Sequence, residues 1–246
     1  MLFYVIYYGT MILLIPGLLL SLICRFAINM TYKRYSKINC QSGWVANEMS
    51  EMLLQNAGVI GIGVQRVEGQ LTDSFDPCTL TVNLSSDVYD SSSISALSVS
   101  AHEVGHAVQF DRDYKPMKFR SLMVKVVNIG SRFSVPLAIL GLIICSVAQY
   151  SRGSVFQTVG EFILFLSIIA YSLTAVFALI TLPVELNASR RAKKMLLETN
   201  VMTHKELSGA SKVLRAAAWT YVATLAVSIL YLLRFIIIIA LLKRKD

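Results

Sequence analysis

Charged side chains are scarce in this chain. Asp, Glu, Lys and Arg make up 15% of its 246 residues, against about 25% in a soluble domain. That shortage excludes an ordinary cytosolic globule and excludes a disordered tail. Proline and glycine are also few, at 5 and 13, which rules out collagen-like and mucin-like chains. The four cysteines, Cys24, Cys40, Cys78 and Cys145, are scattered, with no C-x-x-C pair. They supply neither a disulfide framework nor a cysteine zinc site, so free thiols are expected. Histidine is rarer still, at three residues, and two of them stand four positions apart.

What the chain has in excess is apolar surface, 55% of its residues, gathered into long runs. About 20 mostly apolar residues span the hydrocarbon layer. Four runs qualify: Leu2 to Ile23, Phe133 to Tyr150, Phe162 to Val184, and Trp219 to Leu242. Pro16 and Gly17 are expected to kink the first, and Pro183 to mark the end of the third. No Lys or Arg precedes the first run and no small-residue cleavage site stands out, so it reads as an uncleaved anchor. Arg234, inside the last run, is either a functional intramembrane charge or a residue that snorkels or packs; its nearness to the run's end favours the second.

The formal net charge of +8 does not imply a nucleic-acid partner. Its basic clusters, Arg25, Lys33, Arg34 and Lys37, then Arg190, Arg191, Lys193 and Lys194, flank apolar runs and report orientation instead. Four crossings put segments 25–132 and 185–218 on one side, which their basic character makes cytoplasmic. Segment 151–161 carries only Arg152. The Lys243, Arg244, Lys245 tail disagrees with this scheme; either the last run stops short of a full crossing or the tail is tolerated.

Between the first two runs, residues 41–58 read as a helix with Ser42 as N-cap and Gly58 as C-cap. Two short strands are expected at 59–67 and 79–84, the second with Leu80, Val82 and Leu84 on one face, and a turn-rich segment at 71–77. The serines at 91–93 can cap a further helix marked by Ile94, Leu97, Ala101, Val104 and Val108. That helix carries His102-Glu103-Val104-Gly105-His106, an H-E-x-x-H. Spacing of i and i+4 sets both imidazoles on one face, where they can share a zinc ion. Glu103 projects near that face, placed to take the proton of an activated water that attacks a peptide carbonyl.

Catalytic zinc usually takes three protein ligands. Of two candidates, His204 sits in Thr203-His204-Lys205-Glu206, a capping-box pattern that makes it a solvated first-turn residue. Glu185 is preferred: it follows the third apolar run, on the same side as the H-E-x-x-H helix, and needs a partner. A salt bridge to Arg190 or Arg191 is the competing role for it.

The chain resembles the YugP-like membrane zinc metallopeptidases, neutral zinc metallopeptidase family 2. The likeness runs through L-T-D-S-F-D-P at 71–77, N-L-S-S-D-V-Y at 83–89, A-H-E-V-G-H-A-V-Q at 101–109, L-P-V-E-L-N-A-S-R-R-A at 182–192, and the stretch 206–223. It implies a membrane-embedded, gluzincin-like peptidase with His102, His106 and Glu185 as ligands of one zinc and Glu103 as general base. The chain departs from the family pattern at Ser74, Phe75, Leu186 and Asn187, which bears on substrate choice, ligand orientation or rate.

The sequence therefore predicts a mainly α membrane protein of about four transmembrane helices with a small α+β metalloprotease-like domain. The expected organisation is a 1–24 anchor, a 25–132 soluble segment with the HExxH, a 133–184 transmembrane hairpin, a 185–218 cytoplasmic segment with the third ligand, and a 219–246 transmembrane segment with a basic tail. The expected protein is a multi-pass zinc endopeptidase of the cell membrane, working on the cytoplasmic face. Its partners would be the lipid bilayer and a membrane-associated or unfolded polypeptide, held as an added strand on the edge of 79–84. A non-enzymatic zinc-binding scaffold is the alternative, although retention of Glu103 speaks against it.

Overall fold

The structure is a computed structural model that describes residues 8–151 and 154–243. The start of the first apolar run, Arg152, and the Arg244 and Lys245 positions of the tail lie outside the described residues. The chain divides into two compact units. One comprises Met1–Leu22, Phe119–Ile180 and Val222–Asp246, and the other Ile23–Lys118 and Thr181–Tyr221.

The first unit is built from the apolar parts of long helices. A 3-10 turn, Thr10–Leu14, leads into α1 (Ile15–Tyr35), so the chain changes helical pitch directly before Pro16. In helical order the chain then forms α2 (Ala46–Asn56), α3 (Ser86–Tyr89), α4 (Ile94–Asp111), α5 (Lys115–Ser151), α6 (Ser154–Glu198) and α7 (His204–Lys243). Among the described residues, four helical stretches are long and apolar enough to cross a membrane: Thr10–Tyr35, Lys115–Ala148, Val155–Glu198 and His204–Ile238. Each of the four apolar runs overlaps one of these stretches, and Phe162 to Val184 lies wholly inside its own. Pro183 does not end α6, which continues to Glu198. A proline costs an interior helix its ring clash and one hydrogen bond, but membrane helices tolerate this where neighbours re-satisfy the backbone.

Small residues let these helices approach closely. A Cβ at Gly160 would sit 2.5 Å from Cys145 Sγ, and one at Gly141 would sit 3.0 Å from the Gly160 carbonyl oxygen. Such contacts drive association where lipid leaves no hydrophobic gain. Arg234 is buried here, 4% exposed, and its Nε donates to Thr10 Oγ1 at 3.3 Å. It is a packed residue within this unit.

The second unit holds the α+β part. Its core gathers Met49 and Leu53 of α2, Leu97 and Val104 of α4, and Leu196 of α6, all essentially inaccessible to solvent. Strands β1 (Gly63–Val67), β2 (Ser74–Asp76) and β3 (Thr81–Ser85) form one sheet in the order β1-β3-β2. β1 runs parallel to β3, with Val64 opposite Val82, and β2 runs antiparallel, with Phe75 opposite Val82. Val82 and Leu84 point into the core as their alternation predicts. Leu80 instead precedes the strand with φ +53° and is exposed.

The expectation that 79–84 offers a free edge is wrong. β3 is the central strand, and both its edges are taken. The second of those neighbours, β2, arises inside the segment read as a turn. Its apolar Phe75 packs against Phe110 of α4 with ring centroids 5.6 Å apart. Asp73 Oδ1 accepts from the Ser85 backbone N–H at 2.8 Å, and Asp76 Oδ1 accepts from the Cys78 N–H at 2.8 Å. The turn formers thus close the ends of a strand too short for alternation to reveal.

Helix ends follow the sequence more closely. Ser93 caps α4, its hydroxyl accepting from the Ala96 N–H at 3.2 Å. Gly58 ends α2 at φ +71°, with Val59 N–H bonded to the Leu54 carbonyl and Gly58 N–H to that of Gln55. This is a Schellman closure, which needs the left-handed conformation at Gly58. α2 begins at Ala46, however, with Val45 and not Ser42 at its N-cap.

Candidate metal centre

α4 lies in the middle of the second unit because nearly all of its faces are apolar or small. Ala96, Leu97, Ala101, Val104 and Ala107 are fully buried. The two histidines interrupt this surface one turn apart, their rings edge-on with centroids 4.8 Å apart. Opposite them stands the part of α6 that follows Pro183. Gly105 makes the approach possible: a Cβ there would lie 2.7 Å from the Ala188 carbonyl oxygen. With no side chain in the way, α6 comes close enough to bring Glu185 onto the imidazoles.

Glu185 Oε2 lies 3.2 Å from His102 Nε2 and 3.4 Å from His106 Nε2. Glu185 and His106 are buried, and His102 is partly open. The ligating atoms of the three residues all fall within 4.8 Å of one another. A tetrahedron with zinc bonds of about 2.0–2.1 Å has edges of about 3.3 Å, so the two distances to the carboxylate match it. Two imidazoles and one carboxylate are also the donor set that suits zinc. The residues present fit the ion.

The outer nitrogen of each imidazole is engaged as well. His102 Nδ1 lies 3.2 Å from Ser189 Oγ, and His106 Nδ1 lies 3.0 Å from Gln109 Oε1. Each ring is therefore held from behind with Nε2 turned toward Glu185. Sequence reasoning did not single out Gln109 or Ser189 for this role. Spacing carried a signal for Gln109, which stands three positions after His106 and shares its helical face, but not for Ser189, which meets His102 across 87 positions.

Glu103, 9% exposed, follows His102 on α4. Burial pushes its carboxyl above the usual range, and the neighbouring His102 and His106 only partly offset this. Burial presses His106 the other way, toward neutrality. Hydrogen bonding to Glu185 and the charges of Glu103 and Glu185 outweigh it, leaving the imidazole pKa raised. His204 is exposed on the first turn of α7 and lies outside the metal-ligating group. Its neighbours form the expected capping box: Thr203 N–H donates to Glu206 Oε2 at 2.9 Å, and Glu206 N–H donates to Thr203 Oγ1 at 3.3 Å. Arg191, a proposed competitor for Glu185, donates from Nε to Asn187 Oδ1 at 2.8 Å.

Comparison with known proteins agrees in kind with this geometry. Residues 10–240 match the family described as "Putative neutral zinc metallopeptidase". The chain is also similar to "Putative membrane protease YugP" of Bacillus subtilis (strain 168), with 38% identity over 226 residues, 92% of this chain and 94% of the relative. No solved structure matches the chain.

Proposed function

The chain belongs to this neutral zinc metallopeptidase family, and from that premise we propose that it is a zinc-dependent endopeptidase of the cell membrane. One observation carries the reading: His102 Nε2, His106 Nε2 and Glu185 Oε2 converge, with Glu103 on the helix of the two histidines. His102, His106 and Glu185 hold the ion. Zinc, when bound, supplies Lewis acidity that polarises the scissile carbonyl and acidifies the attacking water. Glu103 takes a proton from that water as it adds to the carbonyl carbon. The same carboxyl then gives the proton to the departing amide nitrogen as the C–N bond breaks. Ser189 and Gln109 keep the imidazoles from turning away.

The substrate class is a polypeptide at or near the bilayer, because α6 carries Glu185 only a short way beyond its apolar run. The basic segments on either side of the hairpin favour the cytoplasmic face. The test is cleavage of a mixed unfolded-protein substrate by zinc-loaded, detergent-purified protein beside Glu103→Gln. Wild type cuts; the variant keeps its zinc and loses about 10²–10⁴-fold in rate. Zinc-loaded wild type that cuts nothing favours a zinc-binding scaffold, and a wild type that binds no zinc overturns the reading.

A further inference from the structure

Gln109 ties the two ligand-bearing helices together through three hydrogen bonds. It is fully buried. Its Nε2 lies 2.8 Å from the Val184 carbonyl oxygen and 3.0 Å from Asn187 Oδ1, while its Oε1 lies 3.0 Å from His106 Nδ1. Val184 immediately precedes Glu185, and Asn187 follows two positions later. Gln109 therefore grips the turn of α6 that carries the carboxylate, and does so from the helix that carries the histidines.

The hydrogen bonds that link Arg191, Asn187, Gln109 and His106 have their directions dictated by groups that can act in one sense only. A backbone carbonyl only accepts, and an arginine Nε–H only donates. Arg191 Nε, 2.8 Å from Asn187, therefore faces that amide's oxygen. Gln109 then meets two acceptors, the Val184 carbonyl and Asn187 Oδ1, and only its NH₂ end can serve both. Its oxygen must face His106, so Nδ1 of that ring is the N–H donor. In the neutral ring the lone pair is then on Nε2, the nitrogen that faces Glu185. The amide orientation and the tautomer both follow from the two obligate ends. His102 has no such dictation, because the Ser189 hydroxyl can donate or accept.

We propose that Gln109 is the positioning residue of the metal centre: it fixes His106 in the tautomer that leaves Nε2 free to bind zinc, and it holds the Glu185 turn of α6 at binding distance. The proposal rests on the zinc reading above. It extends that reading by giving the metal affinity a determinant that touches no metal.

The test uses the full chain in detergent, with zinc affinity measured by chelator competition and Co²⁺ bound in place of zinc for its visible spectrum. The wild-type arm decides the metal reading alone: no zinc uptake there ends it, and this proposal with it. Given uptake, Gln109→Leu removes all three hydrogen bonds and is expected to weaken zinc about 10–100-fold. It should also change the cobalt spectrum at saturation, because His106 is free to rotate. Asn187→Asp keeps an acceptor for both Gln109 and Arg191 and should bind within a few-fold of wild type. Equal affinity and an unchanged cobalt spectrum in Gln109→Leu overturn the proposal. So does a loss matched by a lower melting temperature of the metal-free protein with the spectrum unchanged, since that marks a structural role only. If Gln109→Leu does not fold, Asn187→Leu is read in its place. It cuts one of the two anchors of the Gln109 amide, and unchanged zinc affinity there counts against the proposal.

Discussion

Gly105 fills a variable position of the H-E-x-x-H pattern, yet the packing leaves it no freedom to vary. A methyl group there meets the Ala188 carbonyl oxygen at 2.7 Å, and both groups sit on helix backbones that cannot yield cheaply. Gly105→Ala is expected to cost about 1–3 kcal/mol through overpacking and to lower zinc occupancy by pushing Glu185 off the imidazoles. Thermal melting and zinc content, measured together, check this. A second expectation concerns protons. The raised His106 pKa means that the metal-free site holds its proton to a higher pH than a free imidazole does. Zinc must displace that proton, so its apparent affinity should fall on acidification, beginning above the ordinary histidine pKa of about 6.5. Chelator competition across a pH series reads this directly; affinity that stays flat until well below that value contradicts it. At this scale the sequence was informative where one helix supplies the whole pattern. His102, Glu103 and His106 are legible from a period of 3.6. Glu185 was legible as a carboxylate emerging from an apolar run. The Gln109 contacts to Val184 and Asn187 were not, because they join residues 75 and 78 positions apart.

Elements declared themselves through their ends. The Thr203–Glu206 box opens α7, and Glu206 Oε1 also accepts from the Gln41 N–H at 2.8 Å, tying the loop before α2 to the same cap. Thr203→Ala should therefore cost about 1 kcal/mol in a melting experiment while leaving zinc affinity unchanged; lost affinity would mean that the cap reaches the metal centre. Gly58 and Ser93 were equally readable, since capping depends on local chemistry. β2 was not readable. A three-residue strand exists only because β3 is there to pair with it, and its turn-forming neighbours masked it. Pro183 misled for a different reason: its ring clash and missing N–H are local costs, and α6 tolerates them and runs on to Glu198.

For the whole molecule, four membrane-length helices were visible in the hydropathy of the runs, whereas the long polar continuations of α5 and α6 were not. Membrane orientation is testable through the cysteines. Cys24 and Cys40 are buried, Cys145 lies in a membrane-length helix, and Cys78, next to the sheet, is exposed. If the second unit faces the cytoplasm, a membrane-impermeant maleimide should label Cys78 only after cells are opened, and Cys78→Ser should abolish that signal. Labelling of intact cells would put the unit outside. The second unit is also made from two pieces of chain, with the Phe119–Ile180 stretch between them. A ribosome makes His102 and His106 long before Glu185, and it must make that intervening hairpin first. On the proposed reading, the half-made chain has Glu103 and the two imidazoles but not the carboxylate, so chain order alone delays a complete zinc site until the stretch between the two pieces has been synthesised.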